Sequence, residues 1–158
     1  MLGFYDVDKD YISYLKTLDK QIPNVSYDSN NKFVCGVVFN VGDIQYYAPI
    51  SHMNQKQRTN LPIYHKQRII STIRFSFMFP AFDDVLIRKD FKQIAQIDER
   101  YAHLLMTEYR FCASHINQIK QKAKQVYDIG CNKDHKLNYT CCDFAKLEKY
   151  YLDFNKEN

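Results

Sequence analysis

The chain has 158 residues, a formal net charge of +4, 13 tyrosines, 11 phenylalanines and no tryptophan. This length fits a single domain over residues 1–158 with a sizeable core, and no apolar run is long enough to span a bilayer, which argues against a membrane protein. The sequence opens without a secretory signal, and its odd number of cysteines, five, is typical of reduced thiols in a cytoplasmic protein.

The first half of the chain predicts a mostly antiparallel sheet with one early helix. Asp8 is placed to cap a helix over residues 9–18, and residues 19–31 have the composition of a loop. Gly42-Asp43 stands where a tight hairpin needs positive φ, and Pro80 would stop the last long strand. The strands are expected at residues 2–7, 33–41, 44–47, 61–65, 68–79 and 83–88.

The second half of the chain changes to helical periodicity. Apolar residues recur at intervals of four and three from Leu105 to Val126, which predicts one stripe of a long helix that extends back to Ile97 and ends near Gly130. A last helix is expected within residues 141–154. The sequence therefore predicts an α+β fold with a long helix in its second half.

Charge is unevenly distributed along the chain. Residues 32–79 hold six lysines and arginines but only one acid, Asp43, which gives this segment a net charge of +5, against −1 for the rest of the chain. A basic sheet in a near-neutral protein is what binding of a polyanion requires. The alternative is a solvated basic face that binds no ligand.

Metal and cofactor sites have little support in the sequence. Cys131, His135, Cys141 and Cys142 offer four zinc ligands, but adjacent cysteines rarely serve one tetrahedral site and no CxxC spacing occurs. Phosphate-binding glycine loops are absent, and the sheet half lacks the paired carboxylates that hold the ions of a two-metal nuclease. We therefore predict no metal and no cofactor.

A metal-free set of reactive side chains is concentrated around the hairpin. It consists of Lys32, Ser51, His52, Lys56 and Arg58, with Tyr27 nearby in sequence. RNA can be cut without a metal when its 2′-hydroxyl attacks the adjacent phosphorus and the 5′-oxygen leaves, which requires a base, an acid and a cation. A serine is too weak a base, so Ser51 would hydrogen-bond the phosphate, whereas His52 could exchange a proton near neutrality. The alternative is that the adjacent Ser51 and His52 have no catalytic role.

Motifs along nearly the whole chain carry a family resemblance. They read FYDVDKDYISYL, LDKQIPN, YYAPIS, IISTIRFSFMFP and TCCDFAKLEKYY. The chain thereby resembles the ToxN/AbiQ family, the endoribonuclease toxins of type III toxin–antitoxin and abortive-infection systems. The resemblance implies a strongly twisted antiparallel sheet like that of the Kid/MazF ribonucleases, surrounded by helices. It also implies metal-independent cleavage of cellular or phage mRNA to a 2′,3′-cyclic phosphate, and inhibition by a small RNA antitoxin of pseudoknot repeats in a closed protein–RNA ring.

The resemblance further implies site residues. Tyr11 and Tyr27 match tyrosines that line the family's active groove, Lys32 matches a lysine before the first hairpin strand, and Ser51 matches a serine or threonine after the Ala-Pro turn. The residues expected to contact RNA are Tyr11, Arg58, Arg74, Tyr109 and Phe111.

The turn after Ser51 departs from the family pattern. The usual continuation resembles Ser-Pro-Lys, but here His52, Met53 and Asn54 follow and the next lysine is Lys56. Either Lys56 reaches back from a longer turn or His52 has taken over proton transfer, so His52, Asn54 and Lys56 join the catalytic candidates. The competing functional hypothesis is a non-catalytic RNA-binding protein that uses its basic sheet and aromatic side chains for stacking.

Overall fold

A computed structural model describes residues 2–24 and 33–154 of the chain. Seven strands and five helices form an α+β fold, as the sequence predicted. The strands are β1 (Gly3–Val7), β2 (Val34–Val41), β3 (Ile44–Ser51), β4 (Asn60–His65), β5 (Arg68–Arg74), β6 (Phe79–Ala81) and β7 (Leu86–Arg88). The helices are α1 (Lys9–Leu18), α2 (Phe91–Ile97), α3 (Glu99–Ser114), α4 (Ile116–Cys131) and α5 (Phe144–Tyr150).

The sheet is antiparallel at every strand pair within the described residues. Its order is β4-β5-β3-β2-β1-β7, and β6 pairs with the other end of β3. Because β5 lies between β3 and β4, the connection from Ser51 to Asn60 has to cross β5. This connection carries four of the candidate site residues, His52, Asn54, Lys56 and Arg58.

The predicted hairpin between β2 and β3 is confirmed. Val34 pairs with Pro49 and Val41 pairs with Ile44, and Gly42 adopts the positive φ of 58° that the turn requires. Register shifts between Gly36 and Phe39, so β2 bends within its length.

Helix α1 has the bounds predicted from the sequence. The Asp8 carboxylate accepts from the backbone N–H groups of Asp10 at 2.8 Å and Tyr11 at 3.3 Å, which satisfies two unpaired donors of the first turn. Tyr11, Ile12 and Leu15 form its buried stripe. The cap and the apolar stripe thus explain why the helix starts and packs where it does.

The single strand expected at residues 68–79 is wrong. Strand β5 ends at Arg74, a 3₁₀ turn occupies Phe75–Phe77, and β6 begins at Phe79. Both Phe75 and Ser76 are buried in this turn, and the Ser76 carbonyl accepts from the Cys142 backbone N–H at 2.8 Å. The C-terminal segment therefore docks onto a kink that strict alternation of polar and apolar residues cannot reveal.

The prediction of one long helix from Leu105 to Val126 is also wrong, because the helix is interrupted at His115. The His115 ring stacks on Phe111 at a centroid distance of 3.9 Å, and its Nδ1 lies 2.7 Å from the Phe111 carbonyl oxygen. The Ser114 hydroxyl donates to the same carbonyl at 3.0 Å. Side chains that compete for a helix carbonyl favour a break. Helix α2 was likewise missed, whereas the last helix expected within residues 141–154 is confirmed by α5.

Aromatic packing fixes the helices against the sheet. Tyr46 on β3, Tyr127 on α4 and Phe144 on α5 meet with centroids 5.6–5.7 Å apart. The Glu148 carboxylate accepts from the hydroxyls of Tyr46 at 2.5 Å and Tyr127 at 2.7 Å. Among the described residues, no helix is long and apolar enough to cross a membrane.

Candidate active site

Ser51 ends β3 within a row of residues that crosses three strands. It pairs with Thr72 on β5, which in turn pairs with Pro62 on β4. The neighbour of Thr72, Ser71, faces α3, because its hydroxyl donates to Glu108 at 2.5 Å. Successive strand residues point to opposite faces, so Ser51 and Thr72 lie on the face turned away from α3. The half-buried Ser51 hydroxyl is therefore held at a fixed point of the sheet.

A local hydrogen bond orients the Ser51 side chain. The Met53 backbone N–H donates to Ser51 Oγ at 3.3 Å, a turn that leads the chain out of β3. Since Oγ accepts in this bond, its own hydrogen stays available for donation to an oxygen of a bound phosphate.

A cationic loop, residues 52–59, follows Ser51. Its candidate side chains His52, Asn54, Lys56 and Arg58 are all exposed. At its far end, buried Asn60 shapes the backbone: its side chain accepts from the Gln57 N–H at 2.9 Å and donates to the Gln55 carbonyl at 3.0 Å. The loop is therefore anchored at both ends, and its cations face solvent.

A further cation lies on the Ser51 face of the sheet. Arg74 is two residues beyond Thr72 and pairs with Asn60, so alternation places it on that same face. Its guanidinium lies 4.4 Å from the centre of the Phe77 ring, and partial burial lowers the pKa of Arg74. The buried Thr72 Oγ1 has no hydrogen-bond partner among the described residues. Alternation thus assigns the Ser51 hydroxyl and the Arg74 guanidinium to one face of the sheet, and the cationic loop leaves the sheet at Ser51.

The remaining candidates do not join this group. Tyr27 and Lys32 lie outside the described residues. Tyr11 is fully buried in the core, where its hydroxyl donates to the Pro80 carbonyl at 2.6 Å and burial raises its pKa. Its side chain is therefore placed in the core and not at an open groove.

Two aromatic candidates on α3 lie in different surroundings. Tyr109 packs edge-on against Phe4 at 5.5 Å and Phe91 at 5.7 Å, inside an aromatic cluster. Phe111 instead meets Tyr64 of the edge strand β4, with ring centroids 6.3 Å apart. Together with Arg110 and other residues, Tyr64 and Phe111 line a cavity of about 310 Å³.

The zinc candidates considered from the sequence do not come together. No group of three histidine, cysteine, aspartate or glutamate side chains in the described part of the chain is arranged to hold a metal ion. Cys141 and Cys142 are buried, and burial raises the pKa of both thiols, which disfavours the thiolate that a metal needs.

Sequence reasoning missed three features near the site. Thr72 and Asn60 required knowledge of the β4-β5-β3 register, which no local pattern supplies. The third feature is a second basic segment, residues 109–127, with four lysines and arginines and no acid. This cluster of positive charge is present in the sequence, but the net charge of all residues outside 32–79 hides it because acidic residues elsewhere cancel it.

Comparison with known proteins gives consistent results. The sequence profile of the family described as "Toxin ToxN, type III toxin-antitoxin system" matches residues 3–152. The chain is 21% identical to the Endoribonuclease ToxN of Bacillus thuringiensis subsp. kurstaki, covering 98% of this chain and 85% of that protein. It is 26% identical to the Endoribonuclease ToxN of Pectobacterium atrosepticum, covering 99% of this chain and 95% of that protein.

Solved structures share the fold. One, described as a type III system with selective toxin inhibition by a non-coding RNA pseudoknot, aligns with a TM-score of 0.90 at 21% identity over 98% of both chains. The lactococcal anti-phage endoribonuclease AbiQ aligns with a TM-score of 0.83 at 22% identity over 96% of both chains.

Proposed function

The chain belongs to the ToxN toxin family of type III toxin–antitoxin systems and is an endoribonuclease, and we propose that it cuts RNA without a metal ion. In the proposed reaction the 2′-oxygen of the substrate forms a bond to the adjacent phosphorus. The bond from phosphorus to the 5′-oxygen breaks, which leaves a 2′,3′-cyclic phosphate and a 5′-hydroxyl. One proton leaves the 2′-hydroxyl and one is delivered to the 5′-oxygen.

The observation that carries this proposal is the convergence at the end of β3. Ser51 and Arg74 lie on one face of the sheet and the cationic loop begins at Ser51, so a phosphate there would meet one hydroxyl donor and several positive charges. Donors and cations placed before the reaction stabilise the extra negative charge of the phosphorane. We assign charge stabilisation to Lys56, with Lys32, and proton transfer to His52.

We propose an RNA antitoxin as the natural inhibitor and cellular or phage mRNA as the substrate. One related solved structure is described by selective toxin inhibition by a non-coding RNA pseudoknot, and another by a processed non-coding RNA that regulates a bacterial antiviral system. By analogy, repeats of such an RNA would occupy the basic face of the toxin and link several copies into a closed ring. The five free cysteines, all within the described residues, suit a reducing cytoplasm.

The decisive experiment identifies the ends of the cleavage products. We expect the purified protein to cut single-stranded RNA in EDTA and to leave 2′,3′-cyclic phosphate and 5′-hydroxyl ends. The Ser51→Ala protein, prepared in the same way, controls for contaminating ribonucleases. Products with 5′-phosphates, or activity restored only by Mg²⁺, would refute the mechanism. Tight binding without any cleavage would favour the non-catalytic RNA-binding alternative.

A further inference from the structure

A groove runs along α4 and reaches the cationic loop of the candidate active site at Lys56. It consists of two adjoining cavities of about 540 and 370 Å³ that share Gln121 and Gln125. The larger cavity reaches Phe39 near the tip of the β2–β3 hairpin, and the smaller one reaches Lys56 and Tyr64. We call this continuous depression the α4 groove.

The α4 groove is strongly basic. Four lysines line it: Lys56 from the cationic loop, and Lys120, Lys122 and Lys124 from α4. Its single lining acid is Asp128, which lies 3.3 Å from Lys124 in a pair whose two side chains are more than half exposed. Such exposed pairs contribute little, so a phosphate could displace the Asp128 carboxylate from Lys124.

The α4 groove is physically continuous with the cationic loop. Lys122 Nζ donates to the Arg58 carbonyl at 3.4 Å, which ties α4 to the loop that follows Ser51. Lys56 belongs to both surfaces. A polymer that leaves the cleavage site along this loop would therefore meet the α4 lysines next.

We propose that the α4 groove binds a single-stranded segment of RNA that extends beyond the cleavage site, with phosphates on the lysines and a base stacked on Tyr64. This inference rests on the proposed endoribonuclease function and extends it. Lysines supply charge, the amides of Gln121 and Gln125 can donate to phosphate or base oxygens, and an exposed aromatic ring accepts any base.

The mix of side chains favours RNA over an acidic peptide. Charge alone would suit either polyanion, but an exposed aromatic ring, Tyr64, at one end of a basic groove matches a chain whose every unit has a flat π-face. Tyr64 is 43% exposed and contacts Phe111, which leaves part of its ring open.

The first test removes charge from the α4 groove. We would measure binding of a 20-nucleotide 2′-O-methyl oligouridylate, which cannot be cleaved, as a function of salt. For Lys120→Gln/Lys124→Gln we expect the slope of log affinity against log salt to fall by about 1.4, because each phosphate contact to a single strand contributes about 0.7. The control, Lys133→Gln/Lys136→Gln, removes the same charge from exposed lysines outside the groove and should keep the wild-type slope.

The second test removes a ring. Tyr64→Ala should weaken binding of the same RNA about tenfold, within the range for loss of one stacked base. Tyr139→Ala, which truncates a 77% exposed tyrosine outside the groove, should leave affinity unchanged. Polyglutamate should compete poorly with the RNA.

The outcomes separate this inference from the proposed function. If the wild-type protein cleaves RNA but both groove variants behave like their controls, the α4 inference fails and the endoribonuclease assignment stands. Equal competition by polyglutamate would also overturn the assignment to RNA. If the wild-type protein neither binds nor cleaves RNA, the proposed function itself fails.

Discussion

Ser51 is positioned by contacts to both its backbone and its side chain. It pairs with Thr72 in the sheet and accepts from the Met53 N–H, so both its backbone and its Oγ are positioned. Positioning matters because a contact made at the reacting phosphate stabilises the transition state only when its geometry is set in advance. The neighbouring Thr72 Oγ1 is buried and would be available to a rearranged Ser51 side chain.

We expect Ser51→Ala to abolish growth arrest when the toxin is expressed without antitoxin, while the protein stays folded. The substitution removes one oxygen from a half-buried position and leaves the strand pairing intact. Ser13→Ala, at an exposed position on α1, is the matched control and should remain toxic. Growth arrest by a well-expressed Ser51→Ala protein would show that this hydroxyl has no part in the reaction.

A comparison of His52 and Lys56 separates proton transfer from charge stabilisation. If His52 moves a proton, His52→Ala should lower the cleavage rate by roughly 10²–10⁴, as for a positioned acid–base group. If Lys56 stabilises the phosphorane, Lys56→Ala should be damaging and Lys56→Arg partly tolerated. Both rates are measured on one RNA, with folding checked by circular dichroism. Near-full activity of both alanine variants would show that the turn after Ser51 is not the catalytic centre, and Tyr27 and Lys32 would become the main candidates.

At the scale of elements, a buried carboxyl links the sheet to α3. Glu108 is fully buried, accepts from the Ser71 hydroxyl at 2.5 Å, and has a pKa raised by burial to about 7, despite the opposing effect of the Ser71 bond. Ser71 is adjacent to Thr72 on β5, so this contact secures α3 behind the strand that positions Ser51.

This pKa makes the stability of the fold depend on pH. An unfolded glutamate loses its proton near pH 4.5, whereas folded Glu108 keeps it up to about pH 7. Between these values the folded state binds the extra proton, so its stability falls as pH rises, by at most about 3 kcal/mol. Glu108→Gln should remove this fall. The test compares the urea midpoints of unfolding at pH 5 and pH 8 for the wild-type protein and for Glu108→Gln. The control is Glu99→Gln at an exposed position of α3, which should show the same difference between the two midpoints as the wild type.

Elements with a local signal were predictable, and those defined by distant contacts were not. The Asp8 cap and apolar stripe of α1 and the Gly42 turn are encoded within a few residues, so both were found. The kink after Arg74 depends on the docking of Cys142, and the break at His115 depends on which side chain bonds to the Phe111 carbonyl. Likewise the motif around Ser51 predicts a site residue from sequence alone, but its pairing with Thr72 required the strand order.

At the scale of the whole molecule, charge is concentrated in two segments that are distant in sequence. Residues 32–79 carry a net +5, and residues 109–127 carry four cations without an acid, although the whole chain is only +4. The fold joins them where Lys122 meets the Arg58 carbonyl. A positive field focused on one region attracts a polyanion far more strongly than the same charge spread evenly.

The last prediction concerns the contribution of a single fixed cation to that field. Arg74 is half-buried, lies over the Phe77 ring, and faces the same side of the sheet as Ser51. If it contacts one phosphate, Arg74→Gln should weaken RNA binding similarly for all sequences and reduce the salt slope by about one. Exposed Arg100 on α3 offers the control Arg100→Gln, which loses the same charge outside the site. Equal slopes for the two variants would mean that Arg74 packs on Phe77 and does not contact RNA.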